Sequence, residues 1–543
     1  VESPARPRSG AQILVDALRI HGVEHIFGVP GESFVSALDA MYDTRTPRFV
    51  LFRHEAAAAH AAEAYGKQSG RPGVCYVTRG PGASHAAIGV HTARQDSSPM
   101  ILLVGQVERH KMGREAWQEI DVAQVFGGQA KWAAQIDDPA RLPEALYRAF
   151  TLAVSGRPGP VVLAIPEDVL DEVVAVPDAP AYERIRTFPS AKALDRLHGM
   201  LAQAERPLVL VGGTGWDEAA YAGLRAFAER TGLPVAATWR RQSLFTNSHP
   251  LYAGTAGINV DPALGARIRT ADVILAIGTR LDDVTTGGYT LLESPRPKQR
   301  LIHVYPDTSE LGRVFVPQLA IEAGPNEFIA ALADLLPLDG TRWANWAAAA
   351  HADYERRGEA VPAAGALDMW AVMQTLRAVL PDDAILTTGA GNYTSWSQRF
   401  HRYERFGTQL APVSGAMGYG IPAALAAQLL HPGRCVVAFE GDGDFQMCGN
   451  ELGTARQEGL PILVLLIDNG MHGAIRAHQE RHFPGRPIGT DLVNPDFAAY
   501  ARAYGAYAET VTSTAEFAPA LERARAAGTP ALLALQLVPR ASA

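Results

Sequence analysis

The stretch Gly441–Asn469, GDGDFQMCGNELGTARQEGLPILVLLIDN, decides the fold. It predicts a strand, a glycine turn, a helix and a second strand. Asp442 closes the first strand and Asn469 the second, with 25 residues between Gly443 and Asn469, about one parallel β-α-β unit. Parallel strands bring their C-terminal ends side by side, so Asp442 and Asn469 meet at the edge where open α/β sheets bind ligands. A carboxylate, an amide oxygen and a backbone carbonyl just beyond, at Met471, form a hard oxygen set. Beside Gly441 and Gly443, which let backbone approach phosphate, that set suits Mg²⁺ holding a diphosphate. The plainer reading is a β-α-β turn with Asp442 as a helix cap. The acid, the spacing and the terminal Asn together favour the cation.

Working outward, 543 residues suggest three or four domains, and 47% hydrophobic with 20% charged residues supply a large core. Three α/β blocks are expected, each a doubly wound parallel sheet. The first spans 9–168, where the runs HIFGV, GVCYVT, MILLVGQV and PVVLAIP alternate with alanine-rich helical stretches. A proline-containing linker over about 170–190 leads to the second, 191–337. A polar, alanine-rich connector over about 338–365 leads to the third, 366–543. In the second block GGTGW lacks the third glycine of a dinucleotide fingerprint, so hydride transfer is a weak reading.

A net charge of −8 leaves no basic footprint for nucleic acid. Cys75, Cys435 and Cys448 are too few and too scattered for a disulfide frame. No uninterrupted apolar run reaches the roughly 18 residues of a membrane span. The start VESPARPRSG has no apolar signal core, and a cytoplasmic protein is the expectation.

The GDG turn followed by Asn469 resembles the thiamine diphosphate motif. Ser414-Gly415-Ala416-Met417-Gly418-Tyr419-Gly420-Ile421-Pro422 is similar to the segment preceding it in acetolactate synthase-like enzymes (acetohydroxyacid synthases and 2-oxo acid decarboxylases). RHEAAAAHAAEAYGKQSGRPGVCYVTRGPGASH, near the N-terminus, carries that family's cofactor glutamate at Glu55. The resemblance covers nearly the whole chain. It implies pyrimidine-binding, central and diphosphate-binding domains in that order, with thiamine diphosphate and Mg²⁺ as cofactors. It implies a homodimer or homotetramer whose sites lie between subunits, Glu55 from one chain and Asp442 from the other. It implies carbon–carbon cleavage or formation beside a carbonyl of a 2-oxo acid or related dicarbonyl, through an acyl carbanion. A simple 2-oxo acid decarboxylase and a non-catalytic cofactor-binding subunit stay as alternatives.

On this resemblance Asp442, Asn469 and the Met471 carbonyl hold the metal. Met417, Gly415, Asn392, Gly441, Gly443, Asp444, Met471 and His472 are cofactor-binding candidates, and Met417 props the cofactor into a bent shape. Glu55 hydrogen-bonds the aminopyrimidine and promotes loss of the proton from C2. Its alanine-rich setting favours the protonated donor. Glu63 fits an ordinary helix position instead, because Lys67 follows at i+4. Zinc on His54, Glu55 and His60 fails on spacing, since the two histidines are six apart rather than four.

The surroundings depart from the family. Gln118, in AWQEID, takes the place of a substrate-facing glutamine; its alternative is a surface helix residue. Glu32, in GVPGE, stands where synthases carry a small residue and decarboxylases an acid. It reads equally as a proton donor or acceptor and as helix-start charge matching. Arg79 and His85 replace a serine and an asparagine; Arg79 pairs with a substrate carboxylate or with a local acid. Ala474 and His478 replace a Met and a Trp that shape the acceptor pocket, opening and polarising it. His478 and His482, at i and i+4, read as an exposed basic helix face. Arg280-Leu281-Asp282-Asp283-Val284-Thr285-Thr286-Gly287 keeps half of the flavin segment of biosynthetic relatives, which leaves FAD open as a second cofactor.

Overall fold

A computed structural model describes residues 6–361 and 365–538. Residues 362–364 of the expected connector and 539–543 of the expected third block lie outside the described residues. Three six-stranded, all-parallel sheets follow one another along the chain. The strands are continuous apolar runs, such as Pro160–Pro166, buried at every position. Both faces of each sheet must therefore be covered, as βαβ crossovers require.

The first sheet runs Arg48–Leu51, His25–Gly28, Gly73–Val77, Met100–Gln106, Pro160–Pro166, Trp132–Gln135 from edge to edge. The third runs Gln409–Leu410, Ile385–Thr388, Val436–Gly441, Leu463–Asp468, Ala531–Gln536, Tyr507–Val511. Numbered within each sheet, both have the order 2-1-3-4-6-5. The central sheet (Tyr252–Ala256, Val235–Thr238, Pro207–Val211, Val273–Ile277, Arg300–Tyr305, Leu319–Glu322) has the order 3-2-1-4-5-6. In the outer sheets the order reverses between strands 1 and 3, and the loops leaving those strands define the crevice where such folds bind ligands. In the third sheet those loops are Gly389–Asn392 and Asp442–Gly443. In the first they are Val29–Glu32 and Thr78–Gly80.

The N-terminal and C-terminal blocks share one apolar core. Helix Glu55–Ser69 lays buried alanines, among them Ala57, Ala61 and Ala64, against Ala423, Ala424 and Ala427 of helix Gly420–Leu430. Small side chains let the helix axes approach closely. On its other side, Gly89 of helix Gly80–Asp96 lies so near that an added Cβ would come within 2.4 Å of the Ala59 Cβ. The chain start is tied down by Pro7–Ser9, which pairs antiparallel with Val173–Ala175 at the head of the linker. Residues 176–190 then run without helix or strand. All three cysteines are unpaired. Among the described residues, no helix is long and apolar enough to cross a membrane.

Candidate active site

The predicted strand, turn, helix and strand are present as Val436–Gly441, Asp442–Phe445 with Leu452–Glu458, and Leu463–Asp468. Gly441 lies opposite Ile467 in parallel register, so Asp442 and Asn469 leave the sheet side by side. They open onto a cleft of about 220 Å³ that also takes in Met471, Asn392, Met417 and His472. Asp442 is buried, and burial raises its pKa. Hydrogen bonds from Asn494 Nδ2 (2.8 Å), its neighbour Gly443 N (2.9 Å) and Gly470 N (2.8 Å) act the other way. Asn469 Oδ1 accepts from Met471 N at 3.3 Å. A carboxylate, an amide oxygen and backbone groups lining one cleft fit a hard divalent cation and a diphosphate. Asn494 had no signal in the sequence: it lies far along the chain and bridges Asp442 and Asp468, the latter at 2.7 Å.

The two turn glycines also have a packing cause. A Cβ on Gly441 would lie 2.6 Å from the Tyr393 ring, and one on Gly443 would lie 2.6 Å from His472 Cε1. The flanking rings exclude side chains there, before any phosphate is considered. Asp444 also lines the cleft, with its carboxylate buried and accepting from Ala390 N (2.6 Å), Tyr393 Oη (2.5 Å) and Gly418 N. It ties together the two loops that line the cleft. Beside it Glu440 is fully buried, and burial, with the Asp444 charge, pushes its carboxyl well above the usual range. Gly415, at φ +73°, is exposed on the same segment as Met417, where the left-handed backbone favours glycine.

On the first sheet, Glu55 opens its helix, capped by the His54 side chain, whose Nδ1 accepts from Ala56 N at 3.1 Å. Glu55 Oε2 meets His85 Nδ1 at 2.8 Å, and the His54 and His85 rings stack with centroids 4.7 Å apart. His54, Glu55 and His85 thus gather as three groups of metal-ligand type. The Nδ1 lone pair of His54 is already engaged as the helix cap. His60 is elsewhere, buried, with Nδ1 donating to Gly418 O at 3.1 Å. His54 and His60 therefore do not face one site. The sequence quoted His85 only as a departure; its contact with Glu55 depends on two helices meeting.

Gln118 is half-buried in a turn, not on a helix, and holds φ +68°. A left-handed conformation is unfavourable for glutamine, and such strain collects at functional sites. Its carbonyl accepts from Gly80 N at 2.9 Å, placing it beside the first sheet's crevice. Glu32 is exposed at the same crevice, first in a short 3₁₀ turn. Arg79 goes to a local acid: Nη2 donates to Glu167 at 2.6 Å, and its guanidinium lies 5.9 Å from the Trp117 ring centre. The substrate-carboxylate reading of Arg79 finds no support in that pairing. On helix Gly473–His482, Ala474 lines the cleft, whereas His478 is exposed and stacks on His482.

The central sheet has the strand order of dinucleotide-binding folds, so its own crevice tests the flavin expectation. There a Cβ on Gly213 would lie 1.9 Å from Gly278 O, so the glycine serves strand approach. Trp216 Nε1 donates to Gly212 O at 2.8 Å, and Thr214 Oγ1 donates to Ser97 O in the first block. Arg280 donates to Gln95 O at 2.7 Å. The helix that follows begins with Asp217 as cap and Glu218 in its first turn, which disfavours a phosphate at that end.

Three doubly wound sheets, with a cleft of hard oxygen groups on the third and a histidine-paired glutamate on the first, fit a class of α/β enzyme built around a phosphorylated cofactor. The family description "Thiamine pyrophosphate enzyme, N-terminal TPP binding domain" matches residues 8–125, the central domain 194–332 and the C-terminal TPP binding domain 389–535. The chain is 34% identical to the acetolactate synthase large subunit of Corynebacterium glutamicum, over 95% of this chain and 84% of that one. It is 33% identical to acetolactate synthase isozyme 2 large subunit of Escherichia coli K12, over 95% and 93%. The chloroplastic acetolactate synthase of Arabidopsis thaliana is 31% identical, over 96% and 80%. The chain belongs to the thiamine pyrophosphate (thiamine diphosphate) enzyme family, as an acetolactate synthase-like member.

Proposed function

We propose that the protein is a thiamine diphosphate- and Mg²⁺-dependent enzyme that breaks the bond beside the carbonyl of a 2-oxo acid and passes the acyl unit to a carbonyl acceptor. The observation that carries this reading is the cleft where Asp442 and Asn469 leave adjacent strand ends. Asp442, Asn469 and the Met471 carbonyl hold the metal, while Asn392 and His472 flank the diphosphate. Met417, which lines the same cleft, would support the cofactor. The chemistry the cofactor supplies when bound is a nucleophilic carbon that stabilises an acyl carbanion. Glu55 hydrogen-bonds the pyrimidine and moves a proton; Gln118 orients the substrate.

Within one chain, no residue of the Glu55 cluster lines the cleft. The cleft is lined only by residues 390–475, and the Glu55 cluster is formed by His54, Glu55 and His85. That separation supports a homo-oligomer in which a second copy completes each site. Cytoplasmic location belongs to the same reading, and three unpaired cysteines are consistent with a reducing compartment. Ala474 leaves the acceptor side of the cleft wider than a methionine would, so the best acceptor is larger than pyruvate. Exposed Glu32, at the first sheet's crevice, favours simple decarboxylation as the second reading, with a proton taking the place of the acceptor.

The test is a screen of 2-oxo acids and diketones with thiamine diphosphate and Mg²⁺, with products identified by mass. Turnover that needs both cofactors supports the reading. Turnover that survives their removal, or no turnover with any substrate, rejects it. Aldehyde as the sole product selects the decarboxylase.

A further inference from the structure

The segment 411–419, which carries Met417 to the cleft, contains no helix or strand. Its polar groups need partners from elsewhere, and most come from the N-terminal block. Asp96, at the end of helix Gly80–Asp96, is buried and has both oxygens engaged. Oδ2 accepts from Val413 N (2.7 Å) and Lys67 Nζ (2.6 Å), and Oδ1 accepts from Ser414 N (2.8 Å). Lys67 Nζ also donates to Ala411 O (3.0 Å) and Tyr419 Oη (3.2 Å), and lies 3.0 Å from Glu63 Oε1. Tyr419 Oη donates to Glu63 Oε2 at 2.6 Å. His60, whose pKa burial pushes down to about 4, donates to Gly418 O. The segment is thus held by the first block at 411, 413, 414, 418 and 419, by Arg240 of the central block at Pro412 O, and by Asp444 at Gly418 N.

We propose that Asp96 and Lys67 are positioning residues for the Met417 segment, setting its path across the interface between the N-terminal and C-terminal blocks. This rests on the reading that Met417 supports the cofactor. A buried carboxylate, a lysine and two backbone N–H groups form one closed set. Removing the Asp96 charge leaves Lys67 with Glu63 and withdraws an acceptor from the backbone. The segment then loosens at Val413 and Ser414, on the N-terminal side of Met417, and small displacements of positioning groups are costly to reaction.

The first measurement uses the full chain without cofactor. Hydrogen exchange followed by mass spectrometry should show peptides over 411–419 exchanging at least ~10-fold faster in Asp96→Asn, with strand Leu463–Asp468 unchanged. The second is a cycle with Met417→Ala, read as C2 proton exchange of bound thiamine diphosphate. Asp96→Asn should add no more than about twofold to the loss already caused by Met417→Ala. Glu310→Gln is one control. Because Arg157 of the Arg157–Glu310 pair also bonds Ser97 beside Asp96, a second control, Asp16→Asn, breaks the Arg8–Asp16 pair at 2.7 Å, which has no partner in common with Asp96, Lys67 or 411–419, and should combine with Met417→Ala independently. If Asp96→Asn does not fold, Tyr419→Phe removes one hydroxyl from the same set and should give the same pattern at smaller size. Unchanged exchange over 411–419, or independent combination with Met417→Ala, overturns the proposal. A wild-type chain that binds no thiamine diphosphate defeats the cofactor reading instead, and is recognised separately because the first measurement needs no cofactor.

Discussion

Glu55 has one oxygen on His85 and sits in the first turn of an alanine-rich helix. An amide there keeps the shape and loses the acid. Glu55→Gln is expected to bind thiamine diphosphate while slowing its C2 proton exchange by about 10²–10⁴-fold, the range of general acid–base contributions. Quenched-flow exchange read by NMR decides it, and a wild-type rate would assign the role elsewhere. Just before it, Arg53 N and His54 N donate to the Glu451 carboxylate at 3.1 Å each. Glu451 is buried, and burial pushes its pKa up to about 7. Between its ordinary value of 4.5 and about 7, the folded chain keeps a proton that the unfolded chain has released. Stability from this group is therefore full below pH 4.5 and is lost as pH rises towards 7, by about 3 kcal/mol. Glu451→Gln should flatten that part of the melting-temperature profile; a profile parallel to wild type would exclude the group as its source.

At the scale of elements, the Asp442–Phe445 turn packs against the loop entering helix Gly473–His482, with Gly443 under the His472 ring. Gly443→Ala should cost about 1–3 kcal/mol through overpacking. In a His472→Ala background the same change should cost little, because the ring it strikes is gone. Urea titration of the four chains measures this, and equal costs in both backgrounds would locate the strain elsewhere. One residue into the helix wall of the cleft, Ala474→Met should narrow the acceptor side. Product yields should then shift towards small aliphatic acceptors such as pyruvate, as dispersion contacts and orientation return. Competition between a large and a small acceptor reads the shift, and an unchanged product ratio would remove Ala474 from the acceptor wall.

For the whole molecule, the separation of Glu55 from the Asp442 cleft predicts complementation. Glu55→Gln and Asp442→Ala chains should each be inactive alone. Mixed, unfolded and refolded together, they should recover about a quarter of wild-type activity. Half of the dimers formed are hybrids, and each hybrid holds one intact site of two. A site made within one chain would recover nothing. The shared alanine core between the outer blocks of one chain gives that dimer a rigid protomer to assemble from.

The sequence alone was enough for the three parallel sheets and for the strand-end pairing of Asp442 with Asn469. Buried parallel strands are continuous apolar runs, and a β-α-β unit has a nearly set length, so both signals are local. Glu63 with Lys67 was legible too, as an i,i+4 pair, and they lie 3.0 Å apart. What that pair does was not legible, because Asp96 and Tyr419 reach it from two other parts of the chain. The same limit hid Asn494 at Asp442, His85 at Glu55 and Glu167 at Arg79. It also hid the bonds by which the buried Asp444 carboxylate ties Ala390 and Tyr393 to Gly418. Only the tertiary structure decided these contacts, since each depends on where distant segments pack and the energy that selects the partner is burial, which no short stretch of sequence contains.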